Sequence, residues 1–390
     1  MDFRLSPEEE ALREKARDLA RTHIAPKAAH WDQTEQYPLE NVERLVEAGF
    51  MGMTIPKALG GPGRSLLEAL LVVEEMAKVC GITGRIVVEG NMGALGILLK
   101  HGSEAQQRKY APWVLAGDKP AIAISEPDAG SDAMAMSTTA RKTPEGWVLN
   151  GGKSWITGGG VSRINLVFAK LLDGEEDTKA RPRIGALIVE LGQEGFKPGR
   201  RAFMMGLRGI PEVELHFENC LVPEENLVAV GFSKLMSGYN SQRVGAGTVA
   251  LGVAQGAYEA ALDYARERRQ FGRPIGDFQG LRWMMADARI QLDAARLLLH
   301  RAASDLDPGT GFPRRDLAAI AKVQASEAAI KVTTDALQVF GARGYSRDFP
   351  LERMARDARM FTIGGGTAQA LRNLIGAEVL GSKVSQRKEG

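Results

Sequence analysis

Trp147-Val148-Leu149-Asn150-Gly151-Gly152, continued by Lys153-Ser154-Trp155-Ile156-Thr157, marks the place where a helical chain turns into a β one. Apolar runs flank an Asn-Gly pair, the dipeptide favoured in a two-residue type I′ turn, so the sequence predicts a hairpin closed at Asn150-Gly151. Downstream, Ile164 to Leu172, Ile184 to Leu191 and Val213 to Phe217 are short, apolar or alternating, and separated by Gly, Pro and charged loops. That is the pattern of an antiparallel sandwich or barrel, ending near Pro223. Upstream the chain reads as helices. Ser6-Pro7-Glu8-Glu9 forms a capping box opening an amphipathic run to Thr22, and Leu66 to Val79 carries apolar residues around a wide helical face. A further helix is expected over 85–100. Beyond Phe232, helical patterns return over 234–269, 277–303, 314–342 and 367–381, a bundle pattern. The chain is therefore α+β, mainly α, with an N-terminal helical domain over residues 1–119, a small central β domain over 120–231 and a C-terminal four-helix bundle over 232–390.

Composition narrows the function classes. A chain of 390 residues has room for two or three domains, and 44% hydrophobic with 25% charged residues describes a globular protein. No run approaches the ~18 uninterrupted apolar residues of a spanning helix. Fifty Lys and Arg against 48 Asp and Glu leave a net charge of +2, which offers no footprint for nucleic acid or a polybasic membrane surface. Cys80 and Cys220 are too few for a disulfide framework, and the N-terminal residues lack the apolar core of a signal peptide, so a cytoplasmic location is expected. Five scattered histidines form no HExxH, and neither a GxSxG elbow nor a metal set is present. Gly245-Ala246-Gly247-Thr248-Val249-Ala250 matches GxGxxA, but it lies inside a helical pattern with no strand before it, which points to close helix packing. Gly152-Lys153-Ser154 lacks the earlier glycine of a phosphate loop. The 45 glycines have no collagen-like period.

Four segments carry a resemblance across essentially the whole chain. Ile124-Ser125-Glu126-Pro127-Asp128-Ala129-Gly130-Ser131-Asp132 resembles the TEPxAGSD loop of the acyl-CoA dehydrogenase family, and Trp155-Ile156-Thr157 its WIT segment. Arg268-Arg269-Gln270-Phe271-Gly272-Arg273-Pro274-Ile275, followed by Phe278-Gln279, is similar to RxQFGxPI and its following Gln. Gln338 to Tyr345 resembles QxxGGxGY, with Ala342 at the second glycine. The resemblance implies the family's acyl-CoA dehydrogenase fold, a homotetramer built as a dimer of dimers, and FAD bound between the β domain and the bundle. It assigns FAD contacts to Ile122, Ile124, Ser125, Gly130, Ser131, Trp155, Ile156, Thr157, Thr367 and Gln369. Phe271 and Gln279 also belong to the set, and Arg268, Gln270, Gln338 and Gly341 complete it from a neighbouring subunit. The residue types suit the cofactor: short hydroxyl donors for a flavin edge, an indole face, and a guanidinium fork for phosphate.

The resemblance also assigns acyl-CoA contacts to Ser131 and to the tetrad Asn240-Ser241-Gln242-Arg243, where Asn240 replaces the family's usual Asp. α,β-Dehydrogenation needs a carboxylate beside the carbon that loses a proton. Relatives supply it as Glu in an IYEGT segment, or as Glu at the third tetrad position. Here those positions are Gly365, within Ile363-Gly364-Gly365-Gly366-Thr367, and Gln242, whose amide does not accept and hold a proton. Arg85 and Glu89 fall on the helix that lines the acyl pocket; they are either an i,i+4 pair on a solvated face or, through Arg85, a receptor for an anionic acyl terminus. These departures resemble the branch of the family that removes sulfinate from 3-sulfinopropionyl-CoA. That implies water-dependent C–S cleavage to propionyl-CoA and sulfite without net redox, with Arg85 and Gln242 as catalytic residues and no need for an electron-transfer flavoprotein. The competing readings are a dehydrogenase or reductase of another short or anionic acyl-CoA, and a non-catalytic acyl-CoA or flavin binding protein.

Overall fold

The capping box at Ser6 forms: its hydroxyl accepts from the Glu9 amide at 3.2 Å, and the Glu9 carboxylate accepts from the Ser6 amide at 2.8 Å. The computed structural model describes residues 3–173 and 183–382. From that cap the chain runs through α1 (Pro7–Leu19), α2 (Ala28–Thr34), α3 (Leu39–Glu47), α4 (Leu66–Val79), α5 (Gly81–Glu89), α6 (Ala94–His101) and α7 (Glu104–Leu115). The single helix expected over 85–100 is two. Buried Asn91 breaks it, because its side chain donates to the carbonyls of Phe50 and Val87 and accepts from the Met53 amide. Gly93 then turns the chain at a φ of +61°. The stretch Gly81–His101 is long and apolar enough to cross a membrane by length and composition, yet most of it is buried inside the protein.

Among the described residues eight strands follow: β1 (Ala121–Ala123), β2 (Thr139–Thr143), β3 (Gly146–Thr157), β4 (Ile164–Leu172), β5 (Arg183–Glu190), β6 (Phe196–Ala202), β7 (Glu212–Val222) and β8 (Leu227–Val230). They hydrogen-bond in the order β6-β7-β3-β2-β4-β5-β8, with β1 beside β4. Asn150-Gly151 does not close a hairpin. It lies inside β3, where the register against β7 shifts between Leu149 and Gly151 and Asn150 accepts from the Asn219 amide at 2.8 Å. A β-bulge calls on the same residue types as a turn. The actual turn lies between Thr143 and Gly146, which pair across β2 and β3. The expected antiparallel arrangement is also incomplete, since β1 and β2 both pair with β4 in parallel.

The chain closes with α8 (Phe232–Glu267), α9 (Gln279–Ser304), α10 (Arg315–Phe340), α11 (Ala342–Tyr345), α12 (Leu351–Arg359) and α13 (Ala368–Leu380). The short, charged α12 is not anticipated by the sequence pattern; it anchors itself through buried Leu351, Met354 and Ala358. α8 is the central helix, buried almost continuously from Asn240 to Ala254. The GxGxxA match sits in its middle, where a Cβ on Gly245 would lie 2.6 Å from the Met92 sulfur, so these glycines serve helix packing. Buried ion pairs lock the helical regions together: Arg296 to Glu74 at 2.9 Å and Arg356 to Asp32 at 2.6 Å. The Asp357 carboxylate accepts from the Leu207 amide at 2.6 Å, which ties the loop before β7 to α12.

Candidate active site

Two segments distant in sequence are joined first. The Ser154 amide donates to the Ser125 carbonyl at 2.9 Å, which sets the loop after β1 against the end of β3. Glu126 holds that loop. Its carboxylate accepts from buried Lys153 at 2.8 Å, from the Ser137 amide and hydroxyl, and from the Thr138 amide at 3.0 Å. These bonds outweigh burial and bring its pKa down to about 2. Beyond the joint, Trp155 adopts a φ of +61° and is 59% exposed, while Ile156 beside it is buried. A non-glycine residue in the left-handed region is strained, and here the strain presents an indole face instead of packing it.

Behind this edge lies a buried charge cluster. Arg85 Nε donates to Glu89 at 2.9 Å, and Lys119 Nζ bonds the other Glu89 oxygen at 2.5 Å. Arg85 is 8% exposed and Glu89 4%, so the pair does not lie on a solvated face. Among the described residues the two terminal nitrogens of Arg85 have no hydrogen-bond partner, which leaves the guanidinium fork open to a ligand. Thr157 donates to Glu212 at 2.7 Å. Burial pushes the Glu212 carboxyl up to about 7, against the opposing pull of the Thr157 bond and of Arg85.

The third component comes from α8 and the loop before α13. Asn240 accepts from Arg243 Nη1 at 2.8 Å, and Arg243 Nε donates to the Gly365 carbonyl at 3.3 Å, so the tetrad and the glycine loop meet. Gly365 has a φ of +75°. A Cβ placed there would find Lys322 at 3.8 Å and Ala246 at 3.9 Å, ordinary contacts at the edge of open space. Fully buried Lys322 donates to the Gly366 carbonyl at 2.6 Å, and burial, with Arg243 and Arg85 nearby, lowers its pKa to about 7. Gln242 is buried against Gly93, where a Cβ would lie 2.3 Å from its amide oxygen; among the described residues its amide has no hydrogen-bond partner.

The expected site residues fall into two groups. In one, Ile122 of β1 and Gln242 both meet the Gly93 position, Ser125 joins the β3 end, Arg85 pairs with Glu89, and the tetrad reaches Gly365; Ile124, Gly130 and Ser131 lie on the loop after β1, and Thr367 and Gln369 open α13. The Thr367 hydroxyl caps that helix by accepting from the Ala370 amide at 3.0 Å. The other group lies at the far end of the bundle: Arg268, Gln270, Phe271 and Gln279 follow α8, and Gln338 and Gly341 end α10, joined through the Tyr264–Phe340 stack at 4.1 Å. From Gln242 to Arg268 the chain follows α8 for about 39 Å at ~1.5 Å per residue, so one chain does not bring the two groups together. Glu212, Lys119 and Lys322 belong to no spaced motif and so do not stand out in the sequence; for Glu212 the local signal is its place at a strand start after Pro211.

Models of the acyl-CoA dehydrogenase N-terminal, middle and C-terminal domains match residues 6–118, 121–220 and 229–380. The chain belongs to the acyl-CoA dehydrogenase family, whose members are flavoproteins, and FAD is its cofactor. The residues fit it: an exposed, strained indole beside hydroxyl and amide groups suits the face and polar edge of an isoalloxazine. Among similar proteins, the 3-sulfinopropanoyl-CoA desulfinase of Cupriavidus necator is 52% identical, over 100% of this chain and 99% of its own. That of Variovorax paradoxus is 53% identical, over 97% and 96%. The structure of a glutaryl-coenzyme A dehydrogenase in complex with glutaryl-CoA superposes with a TM-score of 0.91 at 34% identity, covering 100% of this chain and 99% of that one.

Proposed function

We propose that this chain is an enzyme that cleaves the C–S bond of 3-sulfinopropanoyl-CoA with water, giving propionyl-CoA and sulfite without net redox. The observation that carries the reading is a buried Arg85 whose terminal nitrogens have no hydrogen-bond partner among the described residues, in a site where Gly365 and Gln242 occupy both positions at which the family carries its carboxylate base. A guanidinium held in a desolvated pocket favours an acyl group with an anionic end. Arg85 binds the sulfinate oxygens, neutralising the anion and opening sulfur to attack, and the Gln242 amide orients water or the sulfinate. Asn240, Arg243 and Ser131 hold the acyl-CoA, with Glu89 fixing Arg85 and Gly365 leaving room for the acyl end. When bound, FAD supplies a flat, polar-edged ring as one wall of the pocket. Ile122, Ile124, Ser125, Gly130, Ser131, Trp155, Ile156, Thr157, Thr367 and Gln369 hold it, with Arg268, Gln270, Phe271, Gln279, Gln338 and Gly341 contributed by a second copy.

The site is then complete only in an assembly, which we take to be a homotetramer. The exposed stripe Trp283, Ile290 and Leu297, at seven-residue spacing along α9, supports an interface on that face. Unpaired Cys80 and Cys220 support a reducing, cytoplasmic setting. The test is incubation with 3-sulfinopropanoyl-CoA and no electron acceptor. Sulfite is released, and butyryl-CoA under the same conditions with a dye acceptor is not oxidised; rapid dye reduction with butyryl-CoA is the result that favours the dehydrogenase reading.

A further inference from the structure

Desulfination leaves a chemical requirement that Arg85 and Gln242 do not meet. When the C3–S bond breaks with its electron pair on C3, that carbon must receive a proton, and neither a guanidinium nor an amide is a useful donor near neutral pH. The site contains three other groups able in principle to supply one. Glu89 spends one oxygen on Arg85 and the other on Lys119. Lys322 has no exposed surface, and its ammonium is bonded to the Gly366 carbonyl beneath the glycine loop. Glu212 differs from both: it forms no ion pair among the described residues, it retains some exposed surface, and its only side-chain hydrogen bond there is the one shared with Thr157.

Its placement follows from strand register. Glu212 opens β7 directly across from Thr157, the last residue of β3, and the Gly158 amide donates to the Pro211 carbonyl at 2.7 Å to fix the crossing. The charged groups facing it are Arg85 and Glu89 from α5 and Lys119 from the segment before β1. The carboxyl therefore stands in the field of the guanidinium that takes the sulfinate, which is bonded to C3.

We propose that Glu212 is the proton donor of the desulfination, a role that rests on the function proposed above. As the C3–S bond breaks, its electron pair stays with C3, which takes the Glu212 proton and becomes the methyl group of propionyl-CoA. Sulfur takes the oxygen of water, one proton of that water returns to Glu212, and bisulfite leaves. No external oxidant or reductant is needed. A carboxyl held near 7 is protonated on the acid side of neutrality, so the step slows as pH rises.

The test uses the FAD-loaded enzyme and the isosteric variant Glu212→Gln, which keeps a hydrogen bond to Thr157 but loses the acid. Relative to wild type, kcat for sulfite release falls by roughly a hundredfold or more, the range for loss of a general acid, while KM stays within about threefold. FAD content and the absorbance change on adding propionyl-CoA stay unchanged, which separates lost chemistry from a damaged site. Wild-type kcat declines from about pH 6 to about pH 8, and the residual activity of the variant does not. Variant kcat within about threefold of wild type overturns the assignment, and so does a wild-type kcat that is flat across that range, whatever the variant's folding. Absence of sulfite release from wild type overturns the proposed function and this role together; release with an unaffected variant overturns the role of Glu212 alone.

Discussion

Arg85, buried with Glu89 on its Nε, is the residue on which sulfite release depends most, and removing its guanidinium is expected to cost most of that release. Its spacing to Glu89 is visible in the sequence, but its burial is not, because Lys119 is supplied from 30 residues away and turns a helix-surface pair into a buried triad. Gly365 and Gln242 were legible as absences, since a motif defines the carboxylate they replace. Glu212 was not: a lone Glu at a strand start has no spacing signature, and its meaning comes from the register that sets it across from Thr157. Arg85→Ala removes a charge-assisted partner worth roughly 1.5–3 kcal/mol, so kcat/KM for sulfite release falls by about ten- to a hundredfold or more. Arg85→Lys recovers only part, because an ammonium keeps the charge and loses the fork. Steady-state kinetics on FAD-loaded protein checks both; near-wild-type turnover of the Ala variant removes Arg85 from the mechanism.

Helices with strong apolar periodicity were legible nearly to the residue, and Leu66–Val79 matches its expected span. Of the strands, β4, β5 and β7 were legible in place, β3 reads as two strands of a hairpin, and the short β1, β2, β6 and β8 carry no comparable pattern. Asn150-Gly151 offers a turn and a bulge the same chemistry, and only the long ladder between β3 and β7 decides between them. Two glycines of α8 carry the packing that positions the tetrad. A Cβ on Gly256 would lie 2.0 Å from the Lys78 carbonyl oxygen, and one on Gly252 would lie 2.6 Å from that of Glu74, both on α4. Backbone at that distance has no side chain to move aside. Gly256→Ala therefore destabilises the protein by about 2–3 kcal/mol through overpacking, despite the better helix propensity of alanine. Urea unfolding measures this as a lower midpoint; an unchanged midpoint shows that α4 and α8 are not held at this contact.

For the whole molecule, the helix, β, helix order was legible from composition shifts, and the division of the site between copies was implied by the family resemblance; the length of α8 gives that division a physical reason. Separation of the two residue groups by about 39 Å along one helix is the observation behind the proposed second copy. Ile290→Asp places a charge in the middle of the exposed α9 stripe, and it is expected to yield smaller species by light scattering together with loss of FAD; an intact assembly with full FAD content places the interface elsewhere. All of these features serve one claim, that an acyl-CoA dehydrogenase scaffold without its base cleaves a C–S bond instead of oxidising a C–C one. The most direct measurement is anaerobic turnover of 3-sulfinopropanoyl-CoA with no acceptor, following sulfite and propionyl-CoA together. Equal amounts of the two are expected over many turnovers; no sulfite, or an unsaturated acyl-CoA formed only when an acceptor is added, shows that the scaffold oxidises its substrate instead.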